Sequence, residues 1–351
     1  MNNYEEYGEH SDSSEDIPVL RPIPTIRQSI IGQVRTCRSV SFLEWNFLAF
    51  SLISIITGCA FNIYRLATLP TNSDEYVFAI IVLVNLIFCV WYLLHGIFQE
   101  QPFEALMFVL TTLLLSVLIT LNYAAVNDDT GPSHLKLIRF LVTVFLTLPS
   151  AILGLKVGWH YWDSGNLIFK TVGGDMRLQR MCRTLLSGMS LLVFDAQAFI
   201  SCLVLIMERG ISDLTDEDKV IISSGVVFII LWLSIGYVAI RKENMHLVWL
   251  FFVTSIIQPA YSVYLFVDGL REIADSYSTI RTYSIFIAGI ALVIAHFSLL
   301  ATFVVIASNF GKGLSAAVYG EQEVSGGSGS SLLQSNEDRR HYGSTLGCCS
   351  I

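Results

Sequence analysis

Charged residues are scarce in this chain of 351 residues, at 14% against roughly 25% in an ordinary soluble domain. Basic residues are also in the minority, because 21 Lys and Arg face 29 Asp and Glu and the formal net charge is −8. That balance excludes a strongly basic nucleic-acid-binding protein. Hydrophobic residues reach 53%, which is more apolar surface than a soluble globule of this size can bury. A water-soluble enzyme is therefore excluded as well.

Motifs that identify membrane enzymes, pumps and receptors are missing from the sequence. There is no HExxH zinc motif and no phosphate-binding P-loop. The seven-span receptor pattern also fails, because the seventh apolar stretch carries Gln258-Pro259-Ala260-Tyr261 where those receptors have Asn-Pro-x-x-Tyr. The first 20 residues lack the basic and apolar regions of a secretory signal peptide. We expect neither enzymatic activity nor a cofactor. A membrane hydrolase is a distant third candidate, after a transport or sensing protein and a scaffold protein.

Long apolar runs are what the sequence does contain. A bilayer core needs about 20 mostly apolar residues per helix, and eight stretches meet that need. They are Phe42–Tyr64, Tyr76–Phe98, Phe103–Val126, Leu135–Gly158, Thr184–Met207, Val220–Ile240, Leu247–Asp268 and Tyr283–Ser308. The prediction is an all-α, polytopic transmembrane helix bundle over 42–308 with about eight spans. Seven spans is the alternative, because the connections at 99–102 and 241–246 are very short.

The segments outside the spans differ in composition. Residues 1–41 comprise an acidic tail and a basic pre-membrane segment. In the latter, Ile26, Ile30, Ile31 and Val34 share one helical face, which suits a helix in the headgroup layer or else a flexible linker. Residues 159–183 are predicted to be a cytosolic linker, and 309–351 a disordered Gly/Ser-rich cytosolic tail. Cys348 and Cys349 in that tail are candidate lipidation sites.

The distribution of basic residues predicts the orientation of the spans. With the N-terminus in the cytosol, 14 of the 21 Lys and Arg fall on the cytosolic side, which is the bias expected for membrane proteins. Both termini are then predicted to be cytosolic, because the number of spans is even. The sequence does not distinguish the plasma membrane from endomembranes.

Loop lengths raise the question of an internal repeat. The three connections read long, short, long among the first four spans and again among the last four. Halves with an even number of spans share one orientation, so a repeat would consist of two parallel four-helix halves. No similarity at the level of residues is visible, and chance agreement is the preferred interpretation.

Four polar side chains lie near the middle of predicted spans, where such residues are costly and often functional. They are Asp195, His296, Gln258 and Asn85. His296 is the basic residue at the depth of Asp195, so the two can form a pair that handles a proton or a cation. In the alternative interpretation these residues form hydrogen bonds between helices and only fix the packing, at about 1–2 kcal/mol each. Gln197 follows Asp195 by two residues and should point to a different side of the helix.

Two further features bear on a site. Pro259 removes a backbone hydrogen bond in the seventh span and predicts a helix break there. Interfacial histidines near cytosolic ends of spans are weak candidates for a zinc site, namely His95, His160 and His246 together with Asp163. Their aromatic neighbours are typical of an interfacial belt instead, so we expect no metal.

Two functions remain open for a protein of this kind. The first is transport or sensing of a small solute or ion through the mid-membrane polar site. The second is a membrane interaction or scaffold protein that recruits cytosolic partners through its tails. The expected partners are the lipid bilayer, a small solute or ion and cytosolic proteins, and nucleic acid is not among them.

Overall fold

The computed structural model describes residues 26–29, 32–35, 40–71, 73–125, 133–165, 168, 174–207, 215–274 and 280–313. Nine helices occupy most of these ranges. They are α1 (Phe42–Thr68), α2 (Asp74–Phe98), α3 (Pro102–Ala125), α4 (Ser133–Ser164), α5 (Met176–Val204), α6 (Asp216–Arg241), α7 (Met245–Thr254), α8 (Ile257–Ala274) and α9 (Ile280–Ser308). They provide eight candidate spans, because α7 and α8 together form one. The predicted helical bundle of eight spans is confirmed, and the chain is a multi-pass membrane protein.

The helices beside the central connection are longer than the sequence predicts. α4 continues past Gly158 to Ser164, and α5 begins at Met176. Asp175 caps α5 by accepting a hydrogen bond from the backbone N–H of Arg177 at 2.8 Å, a common way to satisfy a free helical N–H group. Much of the predicted linker over 159–183 therefore extends these two helices instead of forming a loop.

The segment ahead of the first span is not helical where the structure describes it. Strands β1 (Ile26–Ser29) and β2 (Gly32–Arg35) pair antiparallel. The described residues therefore form neither the amphipathic helix nor the flexible linker that the sequence left open. Gly32 disfavours a helix by about 1 kcal/mol relative to alanine, and β-branched residues such as Ile26 and Val34 favour strands.

The seventh span is interrupted at Ser255 and Ile256, between α7 and α8. The break predicted at Pro259 thus lies one turn earlier than the proline itself. Pro259 has no N–H to donate to the carbonyl of Ser255, and its ring clashes with that carbonyl in a continuous helix. The helix therefore stops at Ser255, and Pro259 falls in the first turn of α8, where N–H groups have no intrahelical partner anyway.

Each half of the chain closes into a four-span bundle. In the first half α1 packs on α2, α2 on α3, α3 on α4, and α4 back on α1. In the second half α5, α6, the α7–α8 span and α9 repeat this order, and α9 packs back on α5. Tyr92 and Phe108 lie in the apolar core of the first half, Trp232 and Phe251 in that of the second. The halves meet where α2 and α3 contact α5 and α9.

The turn between the second and third spans has the same backbone geometry in both halves. Glu100 and Glu243 each have a φ of 47°, a conformation that is uncommon for residues other than glycine. In each turn the following residue donates its N–H to the carbonyl five residues earlier, at 3.0 Å in the first half and 3.2 Å in the second. Chance agreement of loop lengths does not explain this match, which favours a parallel repeat.

Candidate functional site

Helix α5 is the central element of the polar interior, because it contacts α2 and α3 of the first half and α6, α8 and α9 of the second. Its polar residues Asp195 and Gln197 are both buried. Two residues apart at 3.6 residues per turn, they point about 200° apart around the helix. Asp195 faces the second half and Gln197 faces the first, so α5 separates two polar clusters.

The first cluster is the pair of Asp195 and His296. His296 Nδ1 lies 3.0 Å from Asp195 Oδ2, and both side chains are almost fully buried, at 0% and 1% exposure. The structure therefore brings these two sequence-predicted residues together. The other polar atom of each group, Asp195 Oδ1 and His296 Nε2, has no hydrogen-bond partner. Asp195 Oδ1 can accept one further hydrogen bond, and His296 Nε2 can donate or accept one.

Two further polar side chains of this region come from α8. The amide of Gln258 lies within reach of the Asp195 carboxyl, but neither its oxygen nor its nitrogen has a partner of good hydrogen-bond geometry. Ser262, one turn later on α8, is also fully buried and its Oγ has no partner. Buried polar atoms in native proteins are nearly always paired, so exceptions grouped on neighbouring helices require an explanation.

Aromatic rings close one side of the Asp195–His296 pair. The indole of Trp232 stacks with the His296 imidazole at 6.1 Å between ring centroids and with Phe251 at 4.6 Å. The indole N–H of Trp232 donates to Ser255 Oγ at 3.1 Å, and Ser255 Oγ donates to the carbonyl of Phe251 at 2.7 Å. The residue at the helix interruption therefore holds the ring that covers the imidazole.

The second cluster connects α5 to the first half and includes Asn85. Gln197 Nε2 donates to Asn85 Oδ1 at 2.6 Å, and Gln197 Oε1 accepts from the Tyr92 hydroxyl at 2.7 Å. Asn85 Nδ2 donates in turn to Ser201 Oγ at 2.9 Å. Asn85 therefore lies apart from Asp195, His296 and Gln258, although the sequence places all four at similar depth.

This second cluster borders a cavity between the halves. The cavity has an empty volume of about 510 Å³ and is lined by residues of α2, α3, α5 and α9. Asn85, Gln197 and Ser201 supply polar groups to a lining that is otherwise mostly apolar. Their hydrogen bonds to one another are largely satisfied, so this cluster holds its shape without a ligand.

Sequence analysis missed a third buried polar group, Glu104. Its carboxylate oxygen Oε1 accepts a hydrogen bond from Ser190 Oγ at 3.1 Å and lies 3.3 Å from His95 Nδ1. Glu104 is 2% exposed and its Oε2 has no partner. The available signal was an acid in the first turn of an apolar span, where the helix dipole favours negative charge.

The remaining candidates do not form a site among the described residues. No group of three His, Cys, Asp or Glu side chains that could hold a metal ion occurs in the described part of the chain. His95 pairs with Glu104. His160 and Asp163 are exposed on α4, and His246, the second residue of α7, is also exposed. Cys348 and Cys349 lie outside the described residues, as do residues 1–25 and 314–351.

Comparison with known proteins gives a family for this chain. The profile of a family described as Domain of unknown function (DUF7789) matches residues 31–158 and 172–305. The chain belongs to this family. The two matched stretches coincide with the two four-span halves of the DUF7789 protein, and Asp195, Gln258 and His296 fall in the second. No curated protein and no solved structure matches the chain.

Proposed function

We propose that this DUF7789 protein transports or senses a small solute or ion, and that the Asp195–His296 pair handles the proton or cation. The observation that carries the proposal is a group of buried polar atoms on Asp195, His296 and Gln258 that have no hydrogen-bond partner. Leaving such an atom unpaired costs about 1–3 kcal/mol. A ligand that pairs with these atoms would recover that free energy.

Electroneutrality explains how the pair would act. A carboxylate in the middle of a membrane is costly unless a positive charge stays beside it. A proton shared with His296 supplies that charge, and a small cation at the free Oδ1 of Asp195 supplies it equally well. Binding of the cation therefore favours release of the proton, and protonation favours release of the cation. This exchange is the elementary step of a coupled transporter.

The seventh span supports the same proposal. Discontinuous helices in transporters often supply binding groups near the middle of the membrane. Here the interruption at Ser255 and Ile256 places Gln258 in the first turn of α8, next to Asp195. The amide oxygen of Gln258 would complement a cation, and its N–H₂ group a solute oxygen.

Flux in proteoliposomes tests the proposal. Purified protein is reconstituted with a pH-sensitive dye inside, and an inward Na⁺ or K⁺ gradient is imposed at several pH values. Wild type is expected to alkalinise the lumen as the cation enters, because each entering cation is exchanged for a proton that leaves. Asp195→Asn and His296→Gln are expected to reduce that flux at least about tenfold, a change of about 1.4 kcal/mol in the barrier.

The matched control is Asp216→Asn, which removes an exposed carboxylate at the start of α6 and should leave the flux unchanged. Monodisperse gel filtration of each variant shows that it is folded. Wild-type flux in well-folded Asp195→Asn and His296→Gln would contradict the proposal. The scaffold alternative would then be preferred, and it predicts that deletion of 314–351 abolishes function while the bundle stays intact.

A further inference from the structure

Arg139, near the start of α4, is a buried cation without an anionic partner among the described residues. It is 8% exposed, and its Nε and Nη2 atoms have no hydrogen-bond partner. Its guanidinium lies over the ring of Phe78, at 4.9 Å from the ring centroid. A cation–π contact contributes only about 0.5–2 kcal/mol, which is well below the cost of burying an unpaired charge.

The second half of the molecule contains a buried arginine in a comparable place that is neutralised. Arg281 lies at the start of α9, the last helix of its half, and Arg139 lies within the first two turns of α4. Its Nη2 lies 2.7 Å from Asp268 Oδ2, and its Nε donates to the carbonyl of Leu205 at 3.0 Å. Asp268 comes from α8, the second part of the third span of that half.

The first half has hydrogen-bond donors where the second half has a carboxylate. Its third span, α3, carries Asn122 near its end, and Asn122 Nδ2 is a buried donor without a partner. Arg65 from the end of α1 lines the same cavity and is paired with Glu75. The described residues around Arg139 thus lack the carboxylate that neutralises Arg281.

Space for an anion exists at this place. Arg139 lines two neighbouring cavities, with empty volumes of about 400 Å³ and 590 Å³. The smaller contains Arg65, Asn122 and Arg139 together with Tyr64 and Tyr123. Both cavities are lined by helices of the first bundle. The smaller lies near the ends of α1 and α3, and the larger extends to the middle of α1.

We propose that Arg139 binds an oxyanion, either a carboxylate or a phosphate group, in the cavity that it shares with Arg65 and Asn122. The planar guanidinium offers two parallel N–H donors, which match two oxygens of such a group. The bound oxyanion would neutralise Arg139 as the carboxylate of Asp268 neutralises Arg281. Its source is a free small anion or the headgroup of a lipid in the adjacent leaflet. This proposal rests on residues other than Asp195 and His296 and does not depend on the proposed function.

Thermal unfolding of the purified protein tests this site. In the first arm, sodium acetate or inorganic phosphate replaces the salt of a bulky sulfonate at constant ionic strength. In the second arm, nanodiscs of phosphatidylcholine are compared with nanodiscs that also contain phosphatidylglycerol. When the anion is present at about ten times its dissociation constant, the unfolding midpoint of wild type is expected to rise by about 2–4 °C. A gain in the first arm identifies a free anion, and a gain in the second identifies a headgroup.

Two variants provide the controls. Arg139→Met should unfold at a higher temperature than wild type without anion, because it removes an unpaired buried charge, and it should not respond to anion. Arg281→Met should unfold at a lower temperature, because Asp268 loses its partner, yet keep the anion response. The proposal is overturned if wild type responds in neither arm or if Arg139→Met responds as wild type does.

Discussion

Two buried glutamines show how differently the two sides of the site are built. Gln197 makes hydrogen bonds of good geometry with Asn85 and Tyr92. Gln258 makes none, although it is 0% exposed and lies beside Asp195. Leaving a buried hydrogen bond unmade costs about 1–3 kcal/mol. The first glutamine therefore has a structural role, and the amide of the second is the one that we propose binds a ligand.

Leucine at each of these positions separates the two roles. Gln197→Leu should destabilise the protein by about 2–4 kcal/mol, because it leaves partners in two helices unpaired at about 1–3 kcal/mol each. Gln258→Leu should change stability by less than about 1 kcal/mol, because it breaks no hydrogen bond, and yet it should abolish flux. Chemical unfolding in detergent measures the first quantity and the proteoliposome assay the second. Equal destabilisation by the two variants would contradict this distinction.

The Asp195–His296 pair allows a double-mutant test of the same kind. His296→Leu or Asp195→Leu alone should cost about 1–3 kcal/mol, since each leaves the other polar group buried without its partner. The double variant should recover most of that loss, because buried ionic pairs can often be replaced by apolar residues of similar volume. Flux should be lost in all three. Losses of stability that simply add in the double variant would show that the two side chains do not interact.

Depth in the membrane and the opposite directions of Asp195 and Gln197 could be predicted from the sequence, but the helices that each residue faces could not. Counting residues places Asn85 and Asp195 at similar depth, and both are buried. Which neighbour each one meets depends on how α5 is rotated between the two halves, and that rotation follows from tertiary packing. Arg139 and Glu104 were missed for a related reason, because both lie close to span ends, where charged residues are ordinarily solvated.

At the scale of elements, the interruption of the seventh span is the feature most closely connected to the site. Ser255 at the interruption holds Trp232 over His296, and Gln258 lies in the turn that follows. The spans themselves were predictable, because about 20 apolar residues are a strong local signal. The pairing of β1 with β2 was not predictable, because a segment this short fits either a helical or a strand periodicity.

Replacing the proline tests whether the interruption matters. Pro259→Ala restores an N–H that can bond to the carbonyl of Ser255, so α7 and α8 should join into a more continuous helix. Hydrogen exchange of the backbone amides at 255–260 is expected to become slower, while flux falls because Gln258 moves relative to Asp195. Pro259→Gly, which also restores the N–H but keeps the chain flexible, is the control and should retain more flux. Faster exchange in Pro259→Ala would be the opposite of this prediction.

For the whole molecule, the even number of spans predicts that both termini lie on the same side of the membrane. Fourteen of the 21 Lys and Arg would lie on the side of the termini, and basic residues are enriched on the cytosolic side of membrane proteins. We therefore propose that both termini are cytosolic. Epitope tags at the two ends should both be accessible to antibody after selective permeabilisation of the plasma membrane. Tags on opposite faces of sealed vesicles would be incompatible with an even number of spans, and two tags protected from the cytosol would reverse the orientation.

The proposed exchange requires Asp195 to gain and lose a proton inside the bundle. Infrared difference spectra between acidic and alkaline samples detect protonation of carboxyl groups, and subtraction of the spectrum of Asp195→Asn isolates the contribution of Asp195. We predict a carboxyl band that is present in both wild type and Asp216→Asn. The band should be missing in Asp195→Asn and shifted in His296→Gln. Identical spectra for wild type and Asp195→Asn across the whole pH range would show that Asp195 does not change its protonation, and the proposed exchange would be wrong.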